Sequence, residues 1–322
     1  MTLRPSTGKS PWHAHARARL FVVMLLAAVA PAFAQHSDTW VPGKGHGSLS
    51  VAYQHLYIRY HTDSHGNRQI PGTIRNRNLL LDVDYGLSDR LAITASAAFK
   101  SNRYDQRIPG SAHDPGGLDD DHGEQLLDDG RYHGGWQDWN LALRYLWIDR
   151  PHLAVTPYID YGQPLRDYTV FAHSAVGTGQ KQLEAGINIG GRFPAPAQNL
   201  SWRTGFGYAY MEKEGDRRVN HGTWDAELGY FLTPRLTVRG VIVVRRTHNG
   251  LDFPEDYASS HVDDVFFHHD QNIRNDFLNV GAGVDYQLSD RYTAFANLGR
   301  TLRGDNTHLI DYALTLGVAR GF

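Results

Sequence analysis

The sequence contains no cysteine and, outside one stretch near its start, no long apolar run. Zero Cys in 322 residues removes disulfides, thiolate nucleophiles and cysteine metal sites together. A polytopic helical membrane protein needs repeated runs of about 20 apolar residues, and the only run here is Leu20 to Ala30. That architecture is excluded. Charge of one sign is also lacking: 32 Lys and Arg against 34 Asp and Glu leave a net −2, which offers phosphate backbones no basic field. Nucleic acid is not an expected partner. What the chain does have is 33 Gly, 17 Tyr, 13 Phe and 7 Trp, too many aromatics for a disordered polymer.

The single apolar run reads as an address. Arg4, Lys9, Arg17 and Arg19 precede it, and Ala32-Phe33-Ala34 follows with small residues at the spacing of a cleavage site, the pattern of a secretory signal peptide. Eleven residues are too few to cross about 30 Å of hydrocarbon as a helix. The expected mature chain therefore starts at Gln35, and losing four basic residues and no acidic ones takes it to −6. The expected organisation is a signal peptide over 1–34, a periplasmic segment over 35–46 and one domain over 47–322.

Beyond residue 46 the apolar period is two, the period of strands. Leu79, Leu81, Val83 and Tyr85 alternate with polar or small neighbours, as do Leu91, Ile93, Ala95, Ala97 and Phe99 after a short turn. The pattern returns from Trp139, Leu153, Leu183, Leu200, Trp224, Leu236, Leu278 and Tyr312 onward, and about 48–60 and 292–302 are extended in composition. About twelve strands are expected, with no convincing helical period beside them. Five short turns interleave with six mostly longer links rich in Gly, Asp, His and Pro. That alternation predicts an all-β fold, a single transmembrane antiparallel up-and-down barrel with short periplasmic turns and longer extracellular loops.

An internal echo supports the meander. Asp84-Tyr85-Gly86-Leu87-Ser88-Asp89-Arg90 is nearly repeated as Asp285-Tyr286-Gln287-Leu288-Ser289-Asp290-Arg291, and Gly229-Tyr230-Phe231-Leu232-Thr233-Pro234-Arg235 is a looser copy. Each puts a Tyr before a turn whose Ser or Thr hydroxyl can bond the backbone. At a membrane interface an aromatic ring with a polar tip is favoured. Trp139 and Trp147 lie eight residues apart, about 27 Å along a strand at about 3.4 Å per residue. A tilt of about 40° leaves about 21 Å of height, near the apolar band of about 25 Å.

The opposite face carries Asp82, Asp84, Lys100, Asp138, Arg144, Asp160, Glu184, Arg192, Arg203, Asp225, Glu227, Arg239, Arg245, Asp285 and Asp311. On the lipid side at mid-depth a charge costs about 2–4 kcal/mol, so these residues are expected to line the pore. Twelve strands fall between barrels filled by side chains, at about eight, and open channels at about 16–18. A narrow or loop-constricted pore is expected, with the loop 104–136 as the constriction. At the carboxy terminus Gly317 and the final Phe322 have the spacing of a signal for the barrel-assembly machinery, although Arg320 stands where an apolar residue is usual.

The Leu-Ser-Asp-Arg hairpins, the strand Trp136 to Tyr145, the turn Gly177-Thr178-Gly179-Gln180 and the close from Asp311 to Gly317 resemble outer-membrane transporter-type barrels commonly labelled as involved in the meta-pathway of phenol degradation. The resemblance implies uptake of small aromatic or hydrophobic compounds.

Catalytic chemistry finds little support. The triad logic of a barrel phospholipase needs a His and a Ser two residues apart, and His46-Gly47-Ser48 lies at the wrong, periplasmic end. His173-Ser174 lacks the spacing, and the neighbours His113-Asp114, Asp121-His122 and His269-Asp270 are expected by chance. The loops 104–136 and 248–272 carry His122, His133, His248, His261 and His268 beside several Asp, a donor set that suits zinc, copper or nickel. Without helical His spacing or a calcium-loop pattern they read as solvated acidic loops that bridge lipopolysaccharide through divalent ions. No enzyme activity, resident metal or cofactor is expected. The expected function is a passive channel for a small molecule in the outer membrane of a Gram-negative bacterium. The alternative is a structural or surface-interaction barrel with a closed lumen, and an outer-membrane hydrolase is third. Outer-membrane lipid and lipopolysaccharide, the assembly machinery and a small-molecule substrate are the expected partners.

Overall fold

In the computed structural model, residues 39–69, 72–105, 127, 129–170, 174–252 and 268–322 are described. The signal peptide, His113, His122, His173 and His261 lie outside these residues. Twelve long strands follow one another: β1 (Gly47–Thr62), β3 (Thr73–Gly86), β4 (Leu91–Asp105), β5 (His133–Tyr145), β7 (Leu153–Pro164), β8 (Gln182–Arg192), β9 (Leu200–Met211), β10 (His221–Thr233), β11 (Leu236–Thr247), β12 (Asp276–Gln287), β13 (Tyr292–Asp305) and β14 (His308–Gly321). Two short strands missed by the periodicity, β2 (Arg68–Gln69) and β6 (Ile148–Arg150), pair with β1 and β7. Two or three residues give no period to detect. Each long strand pairs antiparallel with its neighbour in sequence, and β14 returns to β1, so the sheet closes. Closure leaves no unpaired edge, which hydrocarbon would not tolerate.

The residue-by-residue alternation decides which face is which. Leu143 is 48% exposed, Ile159 57% and Leu228 53%, whereas Arg144, Asp160 and Asn78 are each 1% exposed. The apolar set is therefore the outer surface and the polar set the inner one, the arrangement that lets lipid cover the first. Tyr85, Tyr230 and Tyr286 project outward at the short-turn end, and Tyr161, Tyr208, Trp224 and Tyr312 toward the long-loop end. The turns form as their hydroxyls predict: Ser88 Oγ accepts from the Arg90 and Leu91 amides, and Thr233 Oγ1 from those of Arg235 and Leu236. Ser289 Oγ accepts from Arg291.

Both ends of the described chain lie on the short-turn side. Gly47 and Phe322 exchange backbone hydrogen bonds at 3.0 Å each, sealing the β1–β14 seam. Gly317 lies beneath the ring of Phe295, where a Cβ would collide, so this position has a steric demand of its own. At the other end of the seam the register slips twice, skipping Arg59 on β1 and Asp311 on β14. A small apolar cluster of Ile58, Ile74, Tyr104 and Ile310 packs there.

Candidate functional site

The inner face of the barrel holds most of the chain's buried polarity, and the strands bring its charges together in groups. Arg203 on β9 reaches Asp225 on β10 at 2.7 Å and Glu227 at 3.7 Å. Arg239 on β11 meets Glu227 at 3.0 Å, grips both oxygens of Asp285 on β12 at 2.6 and 2.8 Å, and donates to Asn297 on β13. Six side chains from five adjacent strands form one network. The two-pronged contact is the geometry a guanidinium favours with a carboxylate. A second group joins Arg144 on β5 to Asp84 on β3, which also accepts from Thr94 on β4.

The remaining inner charges have contacts of their own. Asp160 accepts from Asn140, and Glu184 from the Tyr158 hydroxyl. Lys100 faces Asp138 electrostatically without an ion pair among the described residues. Arg245 contacts His221, and Arg192 stacks 4.4 Å over the Phe231 ring. Asp82 is half-buried. Asp311 departs from the expected alternation. Skipped by the bulge, it leaves the inner row and pairs with Arg59, half-exposed at the outer rim, at 3.3 Å.

Neutral polar residues that were not singled out complete the inner wall. Asn78 donates to Gln54, which donates to Thr315, and Thr301 donates to Asn279. The same two-residue alternation carries them, and their lack of charge is why they went unnoticed. These bonds satisfy the amide oxygens of Gln54 and Asn279, while Asn78 Oδ1 is buried without a partner among the described residues.

Among the described residues two chain segments enter this interior, and neither has a period that marks it as doing so. At the short-turn end, residues 39–46 run against the inner wall. The carbonyl of Thr39 accepts from Thr156 on β7, and that of Trp40 from Arg144 at 3.3 Å. Thr39 is 2% exposed. Gly86 makes room for this segment, because a Cβ there would overlap the carbonyls of Pro42 and Gly43. At the other end, residues 164–170 and 174–180 fold against the wall. Tyr168 donates to Asp138 at 2.6 Å, Asn102 to the Ala175 carbonyl at 2.6 Å, and Gln271 to the Thr178 carbonyl at 2.7 Å. Burial, with the neighbouring Asp138 carboxylate, pushes the Tyr168 hydroxyl well above the usual phenol range and keeps it a donor. The expected constriction, 104–136, lies largely outside the described residues, and among those described it is 164–180 that enters.

The candidate catalytic and metal-binding residues that are described have separate surroundings. His46 and Ser48 sit at the short-turn end, as their position predicted. His133 pairs with Asp129 at 2.8 Å and His268 with Glu214 at 3.3 Å. No group of three or more His, Asp or Glu gathers at metal distance among the described residues.

With closure, face and lumen established, the comparison with solved structures is informative. The COG4313 outer membrane channel from Pseudomonas putida F1 superposes with a TM-score of 0.66, over 91% of this chain and 100% of that one, at 13% identity. The shared fold is a closed antiparallel β-barrel of the kind found in outer-membrane proteins. More distant are the NanC porin, at 0.46 over 84% and 98% with 12% identity, and the translocator domain of autotransporter NalP from Neisseria meningitidis, at 0.47 over 96% and 96% with 12% identity. No protein-family model and no curated protein matches the sequence.

Proposed function

We propose that the protein is an outer-membrane channel for passive uptake of a small molecule, exported by cleavage after Ala34 and delivered to its membrane with Gly317 and Phe322 as the assembly signal. The observation that carries this reading is the charged group on the inner wall, with Arg203, Asp225, Glu227, Arg239 and Asp285 held in one network behind an apolar outer surface. Twelve strands leave a narrow bore, and Lys100, Asp138, Glu184 and Arg245 add both signs of charge to it. For the cargo, the resemblance to phenol-pathway barrels supports small aromatic compounds. A ring with one hydroxyl suits a bore whose Asn, Gln and Thr side chains offer hydrogen bonds at several heights.

Planar-bilayer recording tests the reading. Stepwise openings are expected, and Arg239→Glu should shift ion preference toward cations; a silent protein, or an unchanged preference, contradicts it. The second reading is a structural barrel with a closed lumen, favoured by the seating of Thr39 and Trp40 inside the wall. A deletion strain compared on aromatic and other carbon sources separates uptake from scaffolding.

A further inference from the structure

The outward face is not uniformly apolar. On β3 the outward positions run Tyr85, Val83, Leu81, Leu79, and then Arg77 and Arg75. Arg77 and Arg75 lie eight and ten residues from Tyr85, about 27 and 34 Å along the strand at about 3.4 Å per residue. A tilt of about 40° puts them about 21 and 26 Å above the short-turn belt, at the outer edge of an apolar band about 25 Å tall. Arg103 on β4 is directly opposite Arg75 in the register. Like charges facing each other across a strand pair are destabilising unless something neutralises them. Arg103 has Asp105 at 3.3 Å, but no carboxylate lies within ion-pair distance of Arg75 or Arg77 among the described residues.

Aromatic rings hold these guanidiniums on the outer surface. Arg77 sits 4.2 Å from the centre of the Tyr132 ring and Arg75 5.9 Å from that of Tyr57. Immediately below, toward the membrane, Leu79, Phe99 and Trp136 are exposed, with the last two rings in edge contact at 5.7 Å. A charged upper tier on an apolar lower tier fits an anionic amphiphile. Arginine is suited to phosphate because its planar fork can donate two hydrogen bonds at once.

We infer that Arg75, Arg77 and Arg103 form an outward-facing site for the phosphorylated glycolipid of the outer leaflet, with a lipid A phosphate between the guanidiniums and its acyl chains along Leu79, Phe99 and Trp136. Charge complementarity and depth select this occupant: a leaflet whose inner edge is acyl and whose outer edge is phosphate presents both chemistries at the heights where the barrel needs them. The site faces away from the lumen, so it is independent of conduction.

The test titrates the refolded full-length barrel in detergent with bisphosphorylated lipid A, with enzymatically dephosphorylated lipid A and with inorganic pyrophosphate, read by native mass spectrometry. Arg75→Gln with Arg77→Gln should weaken lipid A binding at least tenfold, while the Lys pair at the same positions recovers part of it. Arg218→Gln, an arginine stacked on Tyr210 on the opposite arc, should leave it unchanged. Retained heat-modifiable migration on gels certifies that each variant is folded. No binding by the unaltered protein, equal binding by the Gln pair, or equal binding of the dephosphorylated lipid would each overturn the assignment. Pyrophosphate binding as tight as lipid A would overturn the acyl contribution.

Discussion

Arg239 is the residue on which the largest inner network turns. Its guanidinium serves Asp285, Glu227 and Asn297 at once, and its side chain is 5% exposed. Truncation would leave Asp285 without its cation and Glu227 with only Arg203 at 3.7 Å, and removing one partner of such a buried group costs about 3–5 kcal/mol. Arg239→Ala is therefore expected to lower the unfolding free energy from urea titration by that amount, with Arg239→Ala plus Asp285→Ala recovering part of the loss. Tyr168 plays a smaller part: its hydroxyl donates to Asp138 and accepts from the Gly179 amide. Losing those bonds in Tyr168→Phe is expected to cost about 1–3 kcal/mol locally. Faster tryptic cleavage after the exposed Arg166, with the barrel intact, would report the loosened loop.

Among the elements, the segment 39–46 has the clearest consequence. It is bonded to the inner wall through Thr156 and Arg144, and its own turn is fixed by the Gly45 amide on the Gly86 carbonyl at 2.9 Å. Because it occupies part of the bore, deleting residues 35–44 is expected to raise single-channel conductance without loss of heat-modifiability. Unchanged conductance would mean that the ion path bypasses it. Arg144 contributes to both the wall and the segment, which ties the seating of 39–46 to the Asp84–Arg144 pair.

For the molecule as a whole, the controlling fact is that the apolar set faces out. Leu143 lies midway between Trp139 and Trp147 and is cross-strand to Ile159, so it sits near the middle of the band. Leu143→Arg is expected to cost about 2–4 kcal/mol of stability in lipid. Urea titration of the protein refolded into phospholipid vesicles measures this, and a substitution without cost would place that surface outside the membrane.

Much of this was legible from residue order, because a strand writes its two faces into alternate positions. The strand count, the alternation of short and long links and the turn hydroxyls at Ser88, Thr233 and Ser289 all follow from local chemistry. The alternation of buried polar and exposed apolar positions, as at Arg144 beside Leu143 and Asp160 beside Ile159, was legible in the same way, one strand at a time. What the order of residues could not tell was which charges meet: Arg203, Asp225, Glu227, Arg239 and Asp285 belong to four strands, and only the register aligns them. Asp311 shows the limit from the other side, since the bulge that removes it from the row arises from pairing between the two ends of the chain. Thr39 and Trp40 enter the lumen through backbone carbonyls, which every residue has. The two-residue alternation and the spacing of short and long links thus determined the all-β meander, because both are written locally along each strand. The contents of its lumen and the arginine tier on its outer wall were decided only by the tertiary structure, through the register between neighbouring strands and the segments that fold against the wall.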